Sequence, residues 1–414
     1  MKGETAFTRR SFIASAGTLG VVGSTSGCVD IGGTTPGNLR VDWTSGTATE
    51  YQGNHHMLSA ATYDGDTFVG VPRNDFADSD ACGVVALDNR GEVHWEQSLP
   101  PERCNAHAVG HMGVGDLTGD DRPAFLATLE PTEVAGYDVL TGEETFRYDV
   151  LETFGYSAPV TAPLSGDGTR QLVVVDFRGY LVVINDDGTI RWERDLDGPV
   201  FVTPFITEPN GNGDRRILIT HGDDPNKVSC FGPNGDRHWY TETGRDPPLA
   251  WAHSTVDGDE LVFTSSDDTI FRIEPDGRIE WSNSLGGQLR EARIGAADER
   301  HAYVSTPDGA LRAIDVENGD TVWREAVIDD DQRLVAPRIG SFRGEGNYEV
   351  CAVGYDGLVG MYDATTGELL GQYEFDTGLS IAPITADVDG DGRDELLVLH
   401  ADATVSSLTW DEDV

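Results

Sequence analysis

One glycine position recurs seven times in this chain, and the slot four residues after it holds an aromatic side chain in six of the seven copies. The pairs are Gly91/Trp95, Gly142/Phe146, Gly188/Trp192, Gly235/Trp239, Gly277/Trp281, Gly319/Trp323 and Gly367/Gly371, the last without its aromatic. Successive glycines lie 42 to 51 residues apart. A unit of that length cannot bury an apolar face by itself, so it must stack on copies of itself in a ring or an array. The repeat runs from about residue 40 to the end of the 414-residue chain, which leaves no length for a second domain.

Each unit reads as four short strands. In the third whole unit, Ser157 to Leu164 forms an inner strand and the turn Ser165-Gly166-Asp167-Gly168 leads to Leu172 to Asp176. Arg178-Gly179 then turns the chain into Tyr180 to Ile184, and the Asn185-Asp186-Asp187-Gly188 hairpin delivers Ile190 to Arg194. Short runs rich in Val, Ile, Leu and aromatics between Gly, Asp and Asn turns predict all-β structure, and no helical period competes with them. The turn glycines suit a hairpin that needs positive φ. An eighth hairpin begins at Ser407-Leu408-Thr409, but the chain ends before its aromatic slot. Leu39-Arg40-Val41-Asp42-Trp43 offers the missing strand and its Trp from the other end of the domain. The expected fold is an eight-bladed β-propeller of four-stranded antiparallel blades, its ring closed by pairing the N- and C-terminal strands, which leaves no exposed sheet edge.

Asp138-x-x-x-Gly142 and Asp315-x-x-x-Gly319-x-x-x-Trp323 resemble the tryptophan-docking repeat of the pyrroloquinoline quinone (PQQ) propeller family, over residues 39 to 410. The resemblance implies that each Trp stacks on the turn of the next blade and serves packing. Quinone-dependent enzymes of the family carry adjacent cysteines, a funnel calcium site of Glu, Asn and Asp, and long insertions over the cofactor. This chain has no adjacent cysteines and little spare length, so no PQQ is expected. BamB-type envelope lipoproteins use the same repeat without a cofactor.

Residues 1–28 read as a targeting segment. Thr8-Arg9-Arg10-Ser11-Phe12-Ile13 resembles a twin-arginine export signal, and the apolar run from Phe12 to Val22 is too short to span a bilayer. Ser26-Gly27-Cys28 resembles a lipobox that would make Cys28 the lipid-bearing first residue of the mature chain. Thr25 stands where that motif usually has Leu, so cleavage without lipidation is the alternative. Residues 29–38 read as a flexible tether and 39–414 as the propeller. The expected location is the extracellular face of the cell membrane.

Acidic residues number 72 against 29 basic ones, for a net charge of −43, and Lys2 and Lys227 are the only lysines. Charge of that sign disfavours nucleic acid as a partner and keeps the chain soluble and monomeric by self-repulsion. It resembles haloarchaeal adaptation to molar salt, where repulsion is screened within about 3 Å.

Two constellations are candidate sites. Asp387-Val388-Asp389-Gly390-Asp391-Gly392-Arg393-Asp394-Glu395 places acidic oxygens at relative positions one, three, five and nine, with the Arg393 carbonyl at seven. Calcium takes 6–8 oxygens on a sharply turning loop, and the run resembles the FG-GAP calcium loop. The plain alternative is a hydrated acidic turn. Because the loop follows an inner strand, it is expected to face away from the funnel and to be structural. Asp116-Leu117-Thr118-Gly119-Asp120 is a poorer copy, with Ala124 at position nine.

The second constellation is the set of residues expected to begin the inner strands and to ring the channel mouth: His55, His56, His107, Tyr156, Phe201, Trp251, His253, Arg290, Arg333 and Ser380. Aromatics, histidines and arginines at a concavity suit an anionic or sugar-like ligand. His107-x-x-x-His111 has zinc spacing for a helix, but on the strand expected there the two rings would stand roughly 13 Å apart. Cys82 and Cys104 fall on the funnel face of adjoining blades and are candidates for a disulfide outside the cytoplasm. Cys230 and Cys351 read as buried thiols.

The expected function is a surface-anchored, non-catalytic binding or scaffold propeller with a surface protein or glycan as partner. The alternatives are a glycan-binding or glycan-cleaving propeller and, less well supported, a PQQ-dependent dehydrogenase.

Overall fold

A computed structural model describes residues 37–411 except His55, 165–167, 209–214, 223–224, 245–250, 257–258, 287–292, 329–332, residue 345 and Ser380. Cys28, His55, Arg290, Ser380 and the turn at 165–167 therefore lie outside the described residues.

Alternation of apolar runs and Gly/Asp turns builds eight antiparallel blades, each a four-stranded sheet. Blade one comprises Ser59–Tyr63, Asp66–Arg73, Gly83–Leu87 and Val93–Ser98. Blades two to seven follow in order over 113–149, 160–195, 205–244, 251–284, 293–326 and 338–374. The middle strands are mostly buried, and Gln171–Val175 and Glu349–Val353 are buried along their whole length. Strands covered on both faces by neighbouring blades read as continuous apolar runs, which explains the missing alternation. Inner strands are shorter than the sequence suggests: blade three's is Val160–Ala162, rather than 157–164.

Blade eight is split. Ile384–Ala386, Glu395–Leu399 and Val405–Asp411 come from the C-terminal end, and Gly37–Thr44 supplies the outer strand. That strand pairs antiparallel with the last one, Leu39 opposite Trp410, Val41 opposite Leu408 and Trp43 opposite Ser407. It starts two residues inside the stretch read as tether, because Gly37 and Asn38 also pair in parallel with Gly371 and Gln372 of blade seven.

The recurrent glycine and aromatic form one inter-blade contact. Every turn glycine has positive φ, from 70° at Gly142 to 88° at Gly277. A Cβ at Gly91 would lie 2.3 Å from the Trp43 ring, and one at Gly277 would lie 2.5 Å from Trp239, so each indole packs flat where only glycine leaves room. The indole Nε1 then donates to a carbonyl in the same turn: Trp95 to Val139 (2.9 Å), Trp192 to Pro233 (2.9 Å), Trp239 to Pro275 (2.9 Å) and Trp323 to Ala364 (3.2 Å). A register shift in the third and fourth strands sits at the same place in all seven hairpins, as at Val183/Ile184 and Ala313/Ile314. It aims the slot at the neighbouring blade.

Two slots depart from the expected pattern. The turn at Gly188 is covered by Tyr148, not Phe146; Phe146 packs beneath it, with ring centroids 5.1 Å apart. At Gly371 no aromatic is required. Blade eight has no third-to-fourth hairpin to receive one, because its outer strand arrives from the other end of the domain.

Removing residues 37–45 takes away both the closing strand and the Trp43 contact, and should abolish cooperative thermal unfolding; an unchanged melting transition would refute the closure. Trp192→Ala, which empties a nearly buried slot, should cost about 3 kcal/mol in denaturant unfolding.

Candidate functional site

Segments leading into the inner strands converge on the propeller axis and enclose a cavity of about 430 Å³ with contributions from all eight blades. Its walls carry Tyr156, Phe201, Phe205, Trp251, His111 and His253, together with Arg293 and Arg338. Phe205 packs on His253 with centroids 5.0 Å apart and on Trp251 at 6.4 Å.

Beside the cavity an aromatic stack forms from blades one to four. His56, fully buried, stacks on Tyr156 at 5.2 Å and 26°. His107 stacks on Phe154 (5.1 Å, 9°), Phe154 on Phe177 (5.3 Å, 9°), and Phe201 meets Phe177 edge-on at 5.4 Å. His56 Nε2 lies 3.3 Å from His107 Nδ1. The Met57 N–H donates to His111 Nδ1 at 3.0 Å, which places the proton of the neutral ring on Nε2. Burial holds the His111 pKa down to about 4.

The stretch from His107 to His111 is not the strand expected there. Pro101–Arg103 is a single 3-10 turn and His107 lies in a following turn, because the blade-two inner strand begins only at Gly113. That turn brings both His107 and His111 onto His56, with centroids 5.5 and 5.4 Å away. The segment is pinned to blade one. A disulfide joins Cys82 to Cys104, with Cα atoms 5.4 Å apart, and Asn74 exchanges two hydrogen bonds with the Val109 backbone (2.8 and 3.1 Å). Cys230 and Cys351 are buried free thiols.

Among the described candidates, the fold gathers His56, His107, Tyr156, Phe201, Trp251 and His253 around the axis. Arg333 is not with them: it is exposed and precedes the bridge residue Leu334, since the blade-seven inner strand is Arg338–Gly340. Arg293 and Arg338 occupy the wall instead. A sequence signal existed for them, the tripeptide Arg-Ile-Gly at both 293–295 and 338–340. It was hidden by assigning inner strands too early a start.

The acidic loop leaves its inner strand at the end opposite Ile381 and Ala382, which line the cavity. Carboxylate oxygens of Asp387, Asp389 and Glu395 lie within 4.8 Å of one another. Asp391 turns an oxygen to the Arg393 N–H (2.8 Å), outside that trio. Asp387 caps the turn by accepting from Gly390 (2.8 Å) and Gly392 (3.1 Å), and Glu395 Oε2 accepts from the buried Val388 N–H (2.8 Å). Burial, with the neighbouring aspartates adding to it, pushes the Glu395 carboxyl up to about 7.

Two other blades make the same backbone contact with different charge. In blade three Gln171 Oε1 accepts from Leu164 N at 2.9 Å, so a neutral amide does the work. In blade seven Glu349 Oε2 accepts from Phe342 N at 2.9 Å, and the Arg343 guanidinium sits 2.6 Å from its other oxygen. Position 343 in blade seven corresponds to Asp389 in blade eight, counting back from the shared glutamate. Where blade seven supplies its own cation, blade eight places a carboxylate.

Eight docked four-stranded blades around an axial cavity define a β-propeller of the PQQ-repeat class. Residues 83–223 and 224–394 match the family described as "Outer membrane protein assembly factor BamB", and the chain belongs to that family. It is 22% identical to the Burkholderia pseudomallei outer membrane protein assembly factor BamB over 282 residues, covering 67% of this chain and 59% of that protein's length. BamB from Moraxella catarrhalis superposes with a TM-score of 0.63 at 13% identity, over 91% of this chain and 99% of that one. The quinohemoprotein alcohol dehydrogenase of Comamonas testosteroni shares the fold at a TM-score of 0.62 and 14% identity, over 90% and 76% of the two chains. None of the described side chains lining the cavity is a carboxylate, and the Cys82–Cys104 bond spans 22 positions of the sequence.

A buried neutral histidine must take up a proton on acid unfolding. The unfolded pKa of about 6.5 exceeds the folded one, so the unfolded state binds more protons and stability falls as pH drops from 6.5 towards 4. His111 should account for about 3 kcal/mol of that loss, and melting curves of His111→Gln should show a shallower decline over the same window than the wild type.

Proposed function

We propose that this protein is an exported, lipid-anchored, non-catalytic binding or scaffold propeller, held by Cys28 at the extracellular face of the cell membrane of a salt-adapted organism. One observation carries the non-catalytic reading. The residues that recur from blade to blade serve docking and closure, and the described cavity wall holds no carboxylate. Glycoside cleavage needs a carboxylate pair at the bond it breaks, and substrate oxidation by a bound quinone would need acids that hold calcium beside it. The family's description as an assembly factor supports a protein partner. The stacked aromatic rings at the mouth favour a glycan as second reading, bound by ring stacking without cleavage.

In-cell cross-linking of the full chain should give a discrete protein adduct recovered with membranes, and Cys28→Ala should release the chain to the medium. Reducing ends liberated from surface glycans, or quinone-dependent dye reduction after addition of PQQ and calcium, would overturn the non-catalytic reading.

We further propose that blade eight binds a structural calcium ion through Asp387, Asp389, Asp391, Glu395 and the Arg393 carbonyl. Support comes from the equivalent loop of blade seven, where the Arg343 guanidinium already neutralises the buried glutamate. An ion here would brace the split blade, since the Asp387 carbonyl accepts from Thr67 Oγ1 of blade one (3.0 Å) and Asp394 accepts from Ser341 N of blade seven (2.7 Å). Calcium at one hundred times its Kd should add about 2.7 kcal/mol. Glu395→Gln and Asp389→Arg, which copy blades three and seven, should melt alike with calcium or chelator. A wild type indifferent to chelator would refute the site.

A further inference from the structure

The docking slot has a companion. Two residues after it, a polar side chain reaches across the seam and donates to the carbonyl of the same turn glycine: Gln97 to Gly142 (2.8 Å), Arg194 to Gly235 (3.1 Å) and Asn283 to Gly319 (2.7 Å). Thr241 does the same to Gly277, and Tyr148 covers Gly188 with its ring. The seam between blades seven and eight has no such turn to grip. Its slot is Gly371 and its companion is Tyr373. The outer strand of blade seven pairs with the N-terminal strand only at Gly371 and Gln372. Beyond them the two strands separate, and a cavity of about 470 Å³ opens between them on the face where segments enter the inner strands.

Tyr373 and Phe375 form one wall, with ring centroids 4.8 Å apart at 63°, and Val41 and Thr44 stand on the other. The floor is a chain of hydroxyls through one imidazole: Thr377 Oγ1 lies 3.0 Å from His400 Nδ1, His400 Nε2 2.8 Å from Ser406 Oγ, and Ser406 Oγ 3.0 Å from Thr44 Oγ1. Burial disfavours the charged form of His400, and Phe375 meets its ring edge-on at 4.8 Å. Asp402 Oδ1 accepts from the Thr404 N–H (3.0 Å) and hydroxyl (2.6 Å). Its Oδ2 and the exposed Gln52 amide, which also line the cavity, have no hydrogen-bond partner among the described residues.

We propose that this cavity binds a neutral pyranose, with the C–H face of the sugar against Tyr373 and its hydroxyls on Asp402 and Gln52. A sugar presents an apolar face and a ring of groups that both donate and accept, and this wall answers both: flat rings, a carboxylate acceptor and an amide with either role. The volume lies in the range of small-molecule sites. Among the described lining residues there is one carboxylate and no arginine or lysine, so an anion finds no counter-charge. An ammonium ion would leave the amide and hydroxyl donors unused. The floor satisfies its own hydrogen bonds, so binding need not reorder it. The site lies off the axis and shares no residue with the aromatic stack at the mouth.

The test is saturation-transfer NMR of the full chain with the methyl α-pyranosides of glucose, galactose and mannose, and with glucuronate and tetramethylammonium as charged probes. At least one glycoside should bind in the millimolar range and more tightly than either charged probe. Tyr373→Ala should weaken that binding about tenfold, and Asp402→Asn, which keeps the Oδ1 acceptor, about fivefold. Should Tyr373→Ala not melt cooperatively, Tyr373→Leu keeps an apolar side chain but removes the flat face, and the same direction of change is expected. No transfer to any glycoside, tighter binding of a charged probe, or undiminished binding in a folded Tyr373 variant would each overturn the site. Binding that survives Tyr373→Ala but is lost in Phe154→Ala would also overturn it, and would put the sugar at the axial mouth. None of these outcomes bears on cross-linking to a protein partner.

Discussion

The structure depends on a flat indole lying against a bare backbone. Each blade alone is a small twisted sheet with two apolar faces, and its middle strands stay dry only while neighbours cover both. The docking of Trp43, Trp95, Trp192, Trp239, Trp281 and Trp323 onto six turn glycines fixes the spacing and tilt of successive blades at the rim, and Tyr148 does the same at a seventh. The nitrogen of most of these indoles is satisfied by a carbonyl of the turn it covers, so burying the ring leaves no orphan donor there. Glycine and tryptophan are therefore one unit, and the seam where the aromatic is absent is the seam where the two ends of the domain meet.

That seam concentrates the unusual features of the molecule. Blade eight relies on a strand from far away in sequence, pairs in parallel with its neighbour, and places buried Glu395 among aspartates where blade seven uses an arginine. A ring is as strong as its weakest junction, and an ion at this blade would act where the chain offers least covalent help. The Cys82–Cys104 bond works at another junction, tying blade one to the segment that enters blade two.

Charge divides the molecule differently. Acidic side chains cover the outside and suit a solvent that screens them, whereas the axis collects arginine, histidine and aromatic rings. Neither distribution affects the docking geometry, so the propeller carries both without conflict.

Fold class and blade number were legible from the sequence because they rest on local rules repeated many times: a glycine with positive φ, a hairpin, an aromatic four residues on. Ring closure was legible too, since an eighth hairpin without its slot requires the strand that Trp43 provides. The candidate site was legible only in part. Histidines and aromatics near the axis could be picked out, but Arg293 and Arg338 were missed, and Arg333 was chosen away from the wall, because the inner strands are three to six residues long and their starting points depend on contacts between blades. The turn that brings His107 and His111 onto His56 depends on the disulfide and on Asn74, partners more than twenty residues away. Repetition let sequence alone determine the ring; the position of each side chain on its axis is a sum of non-local contacts, and only the tertiary structure decided it.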